Sequence, residues 1–316
     1  MTLSDYVHTF GTWLRNRYGE RVHKVTIDAG LTCPNRDGTA GTGGCTFCNN
    51  RSFSPMKALQ EKTVEQQIAA GSAVIARRTG ARLLLAYFQT YSNTYAAVDR
   101  LQDLYDRALQ TPGVIGLSIG TRPDCVPDPV LALLARYRDI GHEVWLELGL
   151  QSSFDKTLSA VNRGHGFGEY RDAIRRARGI GLRVCTHLII GLPGETGEHA
   201  HTTLARVLDL GVDGLKLHPL HVVRGTQLAR AWRQGHYAPI ELSEYLETAA
   251  SLIVATPPAI VFHRLTGTAS PDILLSPQWC SGKWRVLNGI ERTLRRQGVR
   301  QGGLGTASWT TAYGAT

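Results

Sequence analysis

The chain has 316 residues, 42% hydrophobic and 19% charged, with a net charge of +9; this supports a sizeable α/β domain with a small appendage and excludes a disordered chain. No run approaches the eighteen or so uninterrupted apolar residues of a membrane helix, and Met1-Thr2-Leu3-Ser4-Asp5 lacks the basic-then-apolar order of a signal peptide. A cytoplasmic protein without membrane contact is expected, and its basic excess fits a polyanionic partner as well as it fits simple solubility.

Along the chain, a first apolar strand is expected at residues 22–29 (VHKVTIDA), then a helix at 63–78 and a strand at 83–89 (LLLAYFQ). Further strands follow at 114–120, 143–149, 182–191 and 214–218, with helices at 95–109, 128–138, 170–178 and 198–208 between them. Short apolar strands alternating with amphipathic helices predict βαβ units and a parallel sheet. Six strands fall short of the eight of a closed barrel. The expected fold is therefore a partial (β/α)6 TIM-like barrel with a small C-terminal α/β extension; a doubly wound sheet is the alternative that strand counting leaves open. The division expected is an N-terminal helix at 1–19, a core barrel at 20–237 and an extension at 238–316. In the extension, helices are expected at 242–255 and 284–297, residues 259–265 are a candidate strand, and the last fifteen residues read as a loose tail.

Of six cysteines, Cys33, Cys45 and Cys48 cluster within sixteen residues, directly after the first strand, while Cys125, Cys185 and Cys280 are scattered. In a reducing compartment clustered cysteines point to metal rather than disulfides. Glycines at 38, 41, 43 and 44 let the loop fold back and bring backbone amides near a ligand. A cubane iron–sulfur cluster is commonly bound by four cysteines, so three leave one iron open. The competing reading is structural zinc, with His23 or Cys125 as fourth ligand.

The expected strand ends carry motifs: Gly120-Thr121-Arg122-Pro123-Asp124, Glu147-Leu148-Gly149-Leu150-Gln151-Ser152 followed by Asn162-Arg163-Gly164-His165, Ile190-Gly191-Leu192-Pro193-Gly194-Glu195, and Leu215-Lys216-Leu217-His218-Pro219. In this order, and with the aromatic Phe47 just before Cys48, they look like the motifs of the radical S-adenosylmethionine (SAM) superfamily. More narrowly, over about residues 20–265, the chain resembles the radical SAM half of the Elongator catalytic subunit, and more closely still a family of short, stand-alone bacterial radical SAM proteins.

That resemblance implies a 4Fe-4S cluster on Cys33, Cys45 and Cys48, with SAM chelating the open iron. One electron from a flavodoxin- or ferredoxin-type donor would split the sulfonium to give a 5'-deoxyadenosyl radical, which takes a hydrogen atom from substrate. By position, Phe47 would meet the adenine and Gln89 and Thr90 the methionine amino group. Glu147 and Gln151 would bind the ribose hydroxyls and Arg163 the SAM carboxylate, while Gly191 and Pro193 would shape the adenine wall. Two departures stand out. Eleven residues separate Cys33 from Cys45, more than in the superfamily at large, and no acetyl-CoA-using domain like that of the Elongator subunit is expected after the barrel, so that subunit's wobble-uridine chemistry is not carried over.

Of the remaining residues, Cys185 and Cys280 read as core, Cys125 as an ordinary thiol, and His187, His218 and His221 as structural histidines. Lys216, inward on a parallel strand, needs a reason: a substrate phosphate or carboxylate, or a pair with Glu147. The segment from Lys283-Trp284-Arg285 to Arg292, Arg295, Arg296 and Arg300 suits nucleic acid or a solvated helix equally. RNA, above all tRNA, is the first expected substrate, a small metabolite or protein the second, and a zinc-stabilised RNA-binding module without catalysis the alternative from another class.

Overall fold

The structure is a computed structural model that describes residues 2–49 and 62–303; most of the expected C-terminal tail, from residue 304, lies outside the described residues. Seven parallel strands, β1 (Val22–Ile27), β2 (Leu83–Phe88), β3 (Val114–Thr121), β4 (Glu143–Gln151), β5 (Arg183–Ile190), β6 (Gly214–Pro219) and β8 (Val261–Arg264), pair in the order β1-β2-β3-β4-β5-β6-β8. This order never reverses, whereas a doubly wound sheet must reverse at a switch point. The fold is thus the expected partial TIM-like barrel, and the candidate strand at 259–265 extends it by a seventh member. A two-residue strand, β7 (Val222–Val223), pairs antiparallel with β9 (Leu274–Ser276) outside this sheet.

Helices α1 (Phe10–Tyr18), α2 (Val64–Thr79), α3 (Val98–Leu109), α4 (Asp128–Asp139), α5 (Asp155–Ala160), α6 (Phe167–Gly179), α7 (Gly197–Asp209), α8 (Gln227–Arg233), α9 (Leu242–Ala255) and α10 (Lys283–Gln297) accompany the strands. Local chemistry sets their ends. Thr63 caps α2 in a reciprocal box with Gln66, and Gly80, at φ 70°, stops it in a conformation that costs glycine little. Helix α1 spans the opening between the first and last strands: the Phe262 amide donates to the His8 carbonyl at 2.9 Å, and the Phe10 ring stacks on His263 at 3.8 Å.

Two-residue alternation sorts each strand between the outer helices and the barrel interior. On β4, Val144, Leu146 and Leu148 join the main core under the helices, while Trp145 joins an interior cluster with Leu85, Cys185 and Val261. The interior is therefore layered. Glu143 closes the bottom with Arg183 (2.7 Å) and Arg17 (2.9 Å). Above it lies the apolar Trp145 layer, above that a charged layer around Glu147, and at the top the strand ends form a mouth. Gly116, paired with Glu143, has no room for a side chain: a Cβ would lie 1.9 Å from the Glu143 carbonyl oxygen. Gly116→Ala is expected to cost about 3 kcal/mol, read as a lower denaturation midpoint in urea; an unchanged midpoint would contradict this strand spacing.

Candidate active site

The C-terminal strand ends surround a cavity of about 180 Å³, and Cys33, Cys45 and Cys48 all line it. The loop that carries them is fixed by its own amides and by Asn162. The amides of Arg36 and Asp37 donate to the Cys33 carbonyl, and Asn162 Nδ2 donates to the Gly44 carbonyl at 2.8 Å. The Gly44 position, at φ 77°, would put a Cβ 2.8 Å from Arg36 Nε, so only glycine fits. Among the described residues, three non-glycine residues have positive φ: Tyr91 (64°), Gln151 (79°) and Asn162 (50°). The first two line the cavity and the third ties down the cysteine loop. Backbone strain is concentrated at this mouth.

The thiols lie among cationic donors. Arg163 Nη1 approaches Cys45 Sγ at 3.4 Å while Nη2 donates to the Gly149 carbonyl at 2.7 Å, and Asn35 Nδ2 approaches the same sulfur at 3.8 Å. Arg36 Nη2 donates to the Cys48 carbonyl at 2.9 Å. Burial and Cys45 push the Cys48 thiol up, and Arg36 and Arg163 oppose that push. Among the described residues no three His, Cys, Asp or Glu side chains converge as one mononuclear ion requires, so the zinc alternative gains no support; a cubane, with its irons at separate corners, spreads its thiolates more widely. The Nε of Arg163 is buried without a partner, a guanidinium donor left over beside the thiols. Three thiols and an unsatisfied guanidinium fit a cluster with a carboxylate ligand on its open iron.

Of the residues expected around SAM, Phe47, Gln89, Gln151 and Arg163 line the cavity with the cysteines. Phe47 also packs against the apolar cluster of Leu192, Leu220 and Tyr237. Thr90, Glu147, Gly191 and Pro193 do not line it. Thr90 is buried with its hydroxyl unpaired. Gly191, at φ 89°, accepts a hydrogen bond from the Tyr237 hydroxyl at 2.8 Å and packs against Ile240, and Pro193 is half-buried beyond it.

Glu147, expected at a ribose hydroxyl, lies instead beneath the cavity and is fully buried. Its Oε1 takes Lys24 and the Ser118 hydroxyl (2.6 Å), and its Oε2 takes Lys216 and His187 Nε2 (2.8 Å). Lys216 in turn donates to the Tyr87 hydroxyl at 2.8 Å. Burial alone would raise the Glu147 carboxyl, but Lys216 and Lys24, with hydrogen bonds from His187 and His263, hold it well below the usual carboxylate range. Both oxygens are engaged, so none is left for a sugar. The pair anticipated between Lys216 and Glu147 is present, joined by Lys24 and His263, which the sequence reading passed over; the inward places of Lys24 and Lys216 in their strands were the available signal.

Of the other residues weighed, His187 and His218 line the cavity and His221 does not; Cys185 and Cys280 are buried in apolar clusters. Cys125 lines a separate, wider groove with Thr94, Asp124 and Arg176. That groove holds none of the three clustered thiols, so the site is assigned to the cavity.

The profile described as "Radical SAM superfamily" matches residues 36–207 and that of the radical SAM C-terminal domain residues 212–296. Protein YhcC of Escherichia coli (strain K12) is 48% identical over 96% of this chain and 97% of its own length. The tRNA uridine(34) acetyltransferase of Dehalococcoides mccartyi is 33% identical over 59% of this chain, a match that spans only 38% of that enzyme. Among solved structures, the archaeal Methanocaldococcus infernus Elp3 with its N-terminus deleted superposes with a TM-score of 0.65 at 18% identity. That match covers 89% of this chain and 64% of the Elp3 chain, and it concerns the fold. Among the described residues no helix is long and apolar enough to cross a membrane.

Proposed function

Because the chain belongs to the radical SAM superfamily, we propose that it holds a 4Fe-4S cluster on Cys33, Cys45 and Cys48, cleaves SAM reductively there, and modifies an RNA, most directly a tRNA. The observation that carries the first part is the convergence of the three thiols and Arg163 on one cavity at the parallel strand ends, where barrels of this class keep their chemistry. When bound, the cluster and SAM supply reductive cleavage of the sulfonium and hydrogen-atom abstraction from substrate.

The chain's own residues position and seclude. Arg163, held by the Gly149 carbonyl and Cys45, offers its buried Nε to the SAM carboxylate. Gln89 and Gln151 present amides from the C-terminal ends of β2 and β4, and Phe47 provides an apolar face for adenine. Beneath them, the layer around Glu147 closes the barrel against water. An electron donor of flavodoxin or ferredoxin type belongs to this reading.

The RNA half rests on the likeness to the tRNA acetyltransferase and on charge. Helix α10 exposes Trp284 (70% accessible) beside Lys283, 5.6 Å from its ring. Among the described residues Arg285 and Arg292 have no acidic partner, whereas Arg295 and Arg296 pair with Glu291 and Glu247. Free cations beside an exposed indole suit phosphate contact and base stacking. We expect unmodified tRNA to bind with an affinity that falls steeply with salt, and Arg285→Glu/Arg292→Glu to weaken binding about tenfold or more at low salt. Equal binding by the variant in a filter assay would remove α10 from the interface.

A further inference from the structure

The floor of the cavity carries more positive charge than its one carboxylate balances. Glu147 already uses both oxygens on Lys24, Ser118, Lys216 and His187. Arg264, at the end of β8, lines the same cavity, and among the described residues no carboxylate pairs with it. Its Nη1 lies 3.5 Å from His218 Nε2. The His218 ring lies 6.2 Å from that of His187 with 23° between their planes. Gly267 presses on its other side, where a Cβ would lie 2.3 Å from Nδ1, so the ring is confined beside the guanidinium. Burial, with the Arg264 charge next in weight, holds His218 well below its usual value, and burial and Lys216 bring His187 down to about 4. Both imidazoles are therefore neutral at neutral pH. Burial also lowers the Lys216 ammonium to about 7, against the pull of Glu147. Even with Lys216 neutral, Lys24 and the half-buried Arg264 outnumber the one carboxylate, and among the described residues Arg264 has no carboxylate partner.

We propose that this end of the cavity is a subsite for an anionic group of the substrate, a carboxylate or a phosphate, gripped by the Arg264 guanidinium that His218 holds in place. A guanidinium presents paired donors that match either oxyanion, and Arg264 comes from β8 rather than from the loop after β1 that carries the thiols. The proposal rests on the reading of this cavity as the reaction chamber. It selects substrates by the charge they present to Arg264.

The test is calorimetric titration of the anaerobically purified chain with inorganic phosphate and, separately, with malonate. No SAM cleavage enters this readout, so its failure and failure of the radical chemistry are told apart. The expected result is a single saturable site for at least one of the two anions, weakened about tenfold or more by Arg264→Gln and much less by Arg264→Lys. Tighter phosphate assigns a phosphorylated group such as a nucleotide; tighter malonate assigns a carboxylate. In the unsubstituted chain, whatever the folding of the variants, the His218 and His187 side-chain NMR signals should shift along the same titration. Binding of neither anion, equal affinity in a folded Arg264→Gln chain, unmoved histidine signals, or complete displacement of the anion by saturating SAM would each overturn the proposal, the last by assigning these cations to the cofactor.

Discussion

Cys45→Ala should leave a folded chain that retains no complete iron–sulfur cluster and releases no measurable 5'-deoxyadenosine. Cys45 is the buried member of the three thiols, and its sulfur faces both Asn35 Nδ2 and Arg163 Nη1. Removing it deletes one cluster ligand and the acceptor that helps to orient Arg163. The loss should exceed the roughly 10–100-fold that removal of an outer partner costs a metal site. Cys33→Ala and Cys48→Ala should behave alike. Cys185→Ala and Cys280→Ala, in apolar surroundings, should keep their iron and lose only stability, of the order of 1 kcal/mol. Iron content and 5'-deoxyadenosine release, measured side by side, check this: full iron in Cys45→Ala would exclude the three-cysteine assignment.

The second large effect is expected at Glu147. Glu147→Gln removes the charge that Lys24 and Lys216 share, and breaking a buried pair from one side costs roughly 3–5 kcal/mol. For a chain of this size that lowers the melting temperature by roughly 10 °C. Lys216→Met in the same background should recover part of the loss, because one stranded cation goes with it. The pH dependence has a definite sign. The folded carboxyl titrates below its unfolded value, so as pH falls the unfolded chain takes up the proton first. Its contribution to stability is complete above the usual carboxylate range and lost as pH drops through and below it. The acid limb of melting temperature against pH should be flatter in Glu147→Gln than in the unsubstituted chain; parallel limbs would mean that the carboxylate is not held ionised by these lysines.

Glu147 also marks the limit of what could be read without coordinates. Alternation along β4 fixes which residues face inward, so an interior Glu143, Trp145, Glu147 and Gly149 is legible. Depth is not. Whether Glu147 meets a ligand or closes the floor depends on which side chains of β1, β3 and β6 reach it, here Lys24, Ser118 and Lys216, and that depends on stagger between strands distant in sequence. Gln89 and Gln151 stand at the ends of the apolar runs of β2 and β4, whereas Arg163, twelve residues beyond β4, carried no such signal and was expected only from the resemblance. Thr90, next to Gln89, lies beyond the end of β2 and is buried outside the cavity. Arg264 had no such signal: its strand has four residues, lies between two loops, and enters the sheet only through β6. The sequential strand order was likewise beyond strand counting, since β–α alternation is common to barrels and doubly wound sheets.

The measurement that bears most directly on the central claim is anaerobic reconstitution of the full chain with iron and sulfide, followed by reduction in the presence of SAM. The expected result is about four irons per chain, a brown chromophore, and 5'-deoxyadenosine released by the unsubstituted chain but not by Cys45→Ala. Stoichiometric zinc, with no cluster after reconstitution and no cleavage of SAM, would contradict it.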